Sequence, residues 1–479
     1  MVSRGREPRA AVRVRRAPIC PSALPSAVRR LALLAALLAA PAAHAQVPTD
    51  STNVPVPTPE TVPAPEAVPT PPPADDPEAN EPDAGDPGTI DDGTGEARGQ
   101  LKIRPRLAPS ALYATNRGFG IGGGVAVDNL TWRGSLGALD VRVQQFALGA
   151  TASLFTGDPL DTRLYAGLIT SASATTRRQF FGTGPFTSGN RALFLPHDEV
   201  SAEALVGVSP FGTTVLRVQP SVRYVLDRSA GVRADGPAQL ASLTPASQAA
   251  VAPVLARTLE GVSVGVEVAT DFRDWAPYPK TGVFAAVEAR RFAGIGGQEL
   301  TFNRYSMQSV GYLPLDGRTV LIASFTGVVT RQGDADGDGA PDAVPYYYLP
   351  TLDDRVAVAY RQERLTARDV LAVGLGVRVP VADFIGVYGI DALVVGYLGN
   401  AYDNVFEQFS PRVTFRQDPR ASESGRAALR PALGLGLGVV NLDKERVVLG
   451  ALIGVGAGGI TVATLRAAYN LRDSRPLFR

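Results

Sequence analysis

The 479-residue sequence is short of the side chains that carry most covalent and metal chemistry: one cysteine, Cys20, two histidines, His44 and His197, and two methionines. Lysine is scarce, so the basic residues are nearly all arginine. A single thiol forms no disulfide within the chain, and a Cys/His zinc site lacks its ligands. The formal charge of +1 supplies no basic field for a polyanion, and no nucleic-acid partner is expected. Short catalytic spellings lack their settings. Gly261-Val262-Ser263-Val264-Gly265 matches a nucleophile elbow but lies inside an alternating stretch with no strand-turn-helix context. Gly118-Phe119-Gly120-Ile121-Gly122-Gly123 matches a dinucleotide fingerprint with no helix after it. The expectation is a protein that is not an enzyme.

Proline and glycine, by contrast, are abundant and unevenly placed. Residues 1–45 hold an arginine-rich start, the apolar run Leu31 to Ala40 and then Ala43-His44-Ala45, which is the layout of a secretory signal peptide with an Ala-x-Ala cleavage site. Cleavage there removes Cys20 and His44 and turns the net charge acidic. Residues 46–100 are Pro-Thr-Val-Ala sequence that becomes acidic from Asp75 onward. Too little apolar surface is present to offset chain entropy, so this stretch reads as a disordered Pro-rich acidic linker. Residues 101–479 form the third part.

There the apolar residues alternate with period two. Leu216, Val218, Val222 and Tyr224 face one side, and Arg217, Gln219, Ser221 and Arg223 the other; Val262–Ala269 and Val373–Val379 repeat the pattern. Long charged residues at mid-strand (Arg217, Arg223, Glu288, Arg290, Arg378, Arg466) suit a wet lumen better than a protein core. An apolar outer face against lipid requires a closed sheet, because an open edge leaves backbone groups unpaired. At roughly 24 residues per strand and connection, residues 101–479 make a transmembrane antiparallel β-barrel of about 16 strands. The uncharged run Val447–Leu465 is long enough for a membrane helix, but its glycines favour a hairpin around Gly456-Ala457-Gly458-Gly459.

Asp334, Asp336 and Asp338, with Asp342, have the alternation of a calcium loop, though the closing position is Pro345. Calcium in an outer loop is the one cofactor suggested; a solvated loop tip is the alternative.

Asp271-Phe272-Arg273-Asp274 followed by Tyr278-Pro279-Lys280-Thr281-Gly282 resembles a hairpin motif of the BamA/TamA family of outer-membrane barrels, also called bacterial surface antigens. Arg177–Gly184 is similar to an earlier family segment, and Leu349-Pro350-Thr351-Leu352 resembles the entry to the family's long sixth outer loop. The resemblance implies an integral outer-membrane protein that takes part in outer-membrane protein assembly or translocation through a lateral seam. Its implied partners are outer-membrane lipid and unfolded outer-membrane proteins or periplasmic factors. The alternative is a passive or structural pore. In the family the sixth loop enters the lumen and an Arg-Gly tip pairs with an Asp on the wall. Gly389-Ile390-Asp391 matches the wall motif, which makes Asp391 the expected wall acid. The tip departs from the pattern: Val358-Ala359-Tyr360 stands where Arg-Gly is expected, leaving Tyr360 with Arg361, Arg364 or Arg368 as replacement anchors. The POTRA domains usual in assembly members have no room in residues 46–100. Asp271, Arg273, Asp274 and Gly282 are expected to build the structural hairpin.

Overall fold

The computed structural model describes residues 104–114, 118–128, 130, 135–157, 162–185, 192–210, 216–229, 240–241, 243–251, 255, 258–274, 278–352, 360, 364–415, 425–443, 446–456 and 459–468. All belong to the second of two compact units, Arg98–Arg479. The expected signal peptide and linker lie outside the described residues.

The strands are β1 (Arg104–Ala114), β2 (Gly118–Asp128), β3 (Leu136–Gln144), β4 (Ala147–Phe155), β5 (Leu164–Phe180), β6 (Leu193–Val208), β7 (Arg217–Ser229), β8 (Thr258–Asp271), β9 (Gly282–Gly294), β10 (Thr301–Asp316), β11 (Thr319–Gln332), β12 (Thr351–Leu352), β13 (Leu365–Thr366), β14 (Asp369–Phe384), β15 (Tyr388–Tyr402), β16 (Phe409–Val413), β17 (Ala427–Asn441), β18 (Arg446–Gly456) and β19 (Gly459–Ala468). Among the described residues, the short helices α1 (Pro245–Val251) and α2 (Val405–Gln408) lie in connections.

Each wall strand pairs antiparallel with the next, and β1 pairs with β19, so the sheet closes on itself. With β12 and β13 in a separate small hairpin and β16 pairing parallel on the end of β17, the ring has sixteen strands. Closure leaves no sheet edge, which is what a wall facing hydrocarbon requires. The Gly-rich run near residue 456 is a hairpin, β18–β19, as its glycines imply.

Alternation fixes which face is which. On β6, His197, Ser201, Glu203 and Leu205 are buried inward, while Val200, Val206 and Val208 are exposed outward. On β8, Ser263 and Glu267 point in and Val264 (57% exposed) points out. The Gly-Val-Ser-Val-Gly and Gly-Phe-Gly-Ile-Gly-Gly runs lie inside β8 and β2.

One end of the barrel has short turns and the other the long connections. The longest connection, residues 333–368, joins β11 to β14. Its beginning corrects the expectation from sequence: Leu349–Leu352 is not the entry but an interior stretch, whose Thr351 and Leu352 pair with Thr366 and Leu365. Within the long-loop end, Val344, Tyr346 and Leu349 of this loop and Ala250 and Val251 of α1 bury against Phe180, Leu193, Leu195, Phe292 and Phe302 of the wall.

Candidate functional site

The lumen is built in layers, and the first is where the long loop meets the wall. The phenol of Tyr348 donates to Asp227 on β7, and Arg304 on β10 donates to the Tyr348 carbonyl. His197 Nε2 lies 3.0 Å from the other oxygen of Asp227, and its Nδ1 faces Arg178 at 3.4 Å. Arg178 also donates to the Tyr347 carbonyl at 3.3 Å, and the Tyr347 ring sits over His197 with centroids 4.6 Å apart. Burial first, then the charge of Asp227, pushes the Tyr347 and Tyr348 phenols well above their ordinary value. Tyr348 therefore stays a donor.

Below it runs a charged layer. The Arg290 guanidinium on β9 reaches Glu288 at 2.8 Å, Glu203 at 3.1 Å, Ser221 at 3.0 Å and Ser263 at 3.2 Å. Arg223 donates to Glu199. These groups span β6 to β9 on one side of the lumen. Across from them, the inward positions of β17 and β18 are largely glycine: Gly434, Gly436 and Gly438 register with Gly454, Leu452 and Gly450.

The third layer is at the short-turn end, where the β8–β9 hairpin motif does what its residues suggest. Asp271 takes two bonds from Arg273, at 2.8 and 2.6 Å. Asp274 accepts from the backbone N–H of Lys280 and Thr281, and Gly282 has φ 101°. A Cβ on Gly282 would lie 2.1 Å from the Phe272 carbonyl oxygen, so only glycine fits. The turn carries Tyr278 into the lumen, where its hydroxyl donates to Asp391 on β15. Arg378 covers the Tyr278 ring at 3.8 Å and donates to the Pro279 carbonyl at 2.6 Å. Arg378 and Arg318 each lie 3.9 Å from the Asp391 carboxylate.

Val358 and Ala359 of the expected loop tip lie outside the described residues. Asp391 is an inward wall acid, but its partners are Tyr278, Arg378 and Arg318. Tyr360 instead donates to the Arg430 carbonyl at 2.5 Å, Arg364 covers the Phe181 ring at 5.4 Å, and Arg368 donates to Gln332 at 2.6 Å. Arg361 lies outside the described residues. The anchors that sequence reasoning missed are Tyr347 and Tyr348, with His197 and Asp227 on the wall. Their signal was the Tyr346-Tyr347-Tyr348 run itself.

The four acidic loop residues do not converge as a set. Ligand oxygens of Asp334, Asp336 and Asp338 lie within 4.8 Å of one another, and all three residues are exposed. Asp342 instead accepts from the backbone N–H of Thr301 at 2.8 Å and of Ala335 at 3.0 Å.

Sheet closure, strand number and the inward loop can be compared with known proteins. BamA from Haemophilus ducreyi lacking POTRA domains 1–3 superposes with a TM-score of 0.51, at 12% identity over 77% of this chain and 71% of that one. This is the BamA barrel fold. CdiB from Escherichia coli is similar at 11% identity over 76% of this chain, with a TM-score of 0.47, and this chain spans 63% of its length. CdiB from Acinetobacter baumannii matches at 11% identity and a TM-score of 0.43, spanning 59% of that chain. No protein-family model and no curated protein matches the sequence. In a transmembrane barrel of the BamA type the long connections face the outside and the short turns the periplasm. On that orientation the Tyr347–Tyr348 layer lies toward the outer face and the Tyr278–Asp391 layer at the periplasmic mouth.

Proposed function

We propose that the protein is exported by its signal peptide to the bacterial outer membrane, where it assists the assembly or translocation of other outer-membrane proteins by opening the seam between β1 and β19. The observation that carries this reading is that β1, one of the two strands that close the ring, holds two prolines within its eleven residues. Toward β2 it registers along its whole length, Arg104 to Ala114. Toward β19 the described register runs Ser110–Tyr113 with Leu465–Ala468. Pro105 and Pro109 lack the N–H that a ladder bond needs, which weakens the strand. A parted seam offers edges that an incoming strand can extend. Unfolded outer-membrane proteins and periplasmic factors are the partners this implies.

A passive or structural pore is the second reading, favoured by the glycine-lined inner face of β17 and β18, which leaves that side of the lumen bare. A seam cross-link separates the two. In cells depleted of the native protein, the S110C/A468C double variant should support assembly of other barrels when reduced and lose that support when oxidised. Unchanged assembly with the seam locked, together with steady single-channel conductance, would leave the pore reading in its place.

A further inference from the structure

Three polar residues at the long-loop ends of β14 and β15 break the outward pattern. Asp369, Asn400 and Tyr402 occupy outward positions, yet Asp369 and Tyr402 are 0% exposed and Asn400 is buried. The cover is the connection after β15, which folds down over the outside of the wall. The Val405 N–H donates to Asp369 at 2.9 Å, and Arg331, outward on β11, donates to the same carboxylate at 2.9 Å. The Phe406 ring lies 5.6 Å from the Arg331 guanidinium carbon, and Phe409 packs on Tyr402 with centroids 6.3 Å apart. Asn400 donates to the Ala428 carbonyl at 2.8 Å.

Height places this cover relative to the apolar band. The outward residues of β14 run Leu371, Val373, Leu375, Val377, Val379, Val381. At roughly 3.3 Å per residue and about 40° of tilt they span about 25 Å, the height of a barrel's hydrocarbon belt. Asp369 is the next outward position, so α2 and β16 sit at the upper boundary of that belt. They and the two residues after β16 present Phe406 (79% exposed) and Phe415 (75% exposed), with Val413 and the cation Arg412 also exposed. Aromatic rings beside arginine at this level match the boundary between acyl chains and phosphate groups.

We infer that the segment from α2 through Phe415 is an interfacial anchor that inserts Phe406 and Phe415 into the outer leaflet and sets Arg412 against the phosphates of anionic lipid. The inference rests on the membrane placement proposed above and adds a lipid contact made by a loop. The segment ties the β11–β15 stretch of the wall, separated from the seam strand β19 by β17 and β18, to the bilayer.

Single tryptophans test it in the full-length protein, reconstituted in phosphatidylcholine vesicles with and without phosphatidylglycerol and read by difference from the parent. L375W reports the membrane placement and D336W a water-exposed loop. F406W and F415W should show blue-shifted emission, strong quenching by shallow spin-labelled lipid and weak quenching by iodide. Phosphatidylglycerol should deepen the blue shift of F415W, and R412E should abolish that response. Water-like emission and iodide quenching at both positions, with L375W quenched by deep-labelled lipid, would overturn the anchor while keeping the membrane reading. An unquenched L375W would instead remove the membrane reading and the anchor with it. Insertion without any response to phosphatidylglycerol or R412E would overturn the phosphate contact. Native folding of each variant is checked by heat-modifiable gel mobility.

Discussion

The Tyr278 hydroxyl, carried on the short turn between β8 and β9, donates a hydrogen bond to Asp391 on β15, far around the ring. Burial first, and then this bond, pushes the Tyr278 phenol far above its ordinary value, so it remains a donor at every physiological pH. The turn is thereby stapled across the mouth of the lumen.

Tyr278→Phe removes that donor and leaves the buried carboxylate with two arginines 3.9 Å away. A loss of about 1–3 kcal/mol is expected, the cost of an unsatisfied buried acceptor. Thermal unfolding in detergent, read by heat-modifiable mobility, measures it. An unchanged midpoint would mean that the arginines alone satisfy Asp391.

Tyr348→Phe should act on the outer layer in the same manner. Asp227 keeps His197 but loses its second donor, and the loop stretch around Val344–Leu352 should lose amide exchange protection while the β17–β18 hairpin keeps its own. Uniform loss across both regions would show global destabilisation in place of a local latch.

Gly282→Ala places a side chain at φ 101° and a Cβ 2.1 Å from the Phe272 carbonyl. The dihedral alone costs more than about 1 kcal/mol, and the clash adds to it. A sharp fall in folded barrel recovered in the membrane is expected. Wild-type recovery would mean that the turn rearranges freely.

Asp403 follows β15 outside the wall strands, and burial raises its pKa against the opposing pull of Arg368 and Gln408. A carboxyl raised on folding contributes stability below its unfolded value of about 3.9 and loses that contribution as pH rises through its folded value. At neutral pH the charge is a net cost, so Asp403→Asn should unfold at the same or higher temperature, the advantage vanishing as pH falls toward about 4. A variant less stable at pH 7 would show that the Arg368 attraction outweighs burial.

The two site motifs differ in how far the sequence reached. The β8–β9 hairpin was legible, because Asp271–Arg273, Asp274–Lys280 and Gly282 interact within a dozen residues, where spacing alone limits the geometry. Asp391 was legible as a wall acid, and its partner was not. The sixth loop was expected to supply an arginine, whereas the partner is a tyrosine 113 positions earlier, brought there by the curvature of the ring. The Tyr348–Asp227 bond, across 121 positions, was hidden for the same reason.

By itself the sequence determined the period of the strands, the side each face takes and a number near sixteen, because alternation and chain length are local or additive quantities. Only the tertiary structure decided which loop enters the lumen and which folds over the outside, what Asp391 binds, and which strands close the ring. Those depend on register and closure around a whole ring, where each strand's offset is set by every other, and no local pattern encodes that sum.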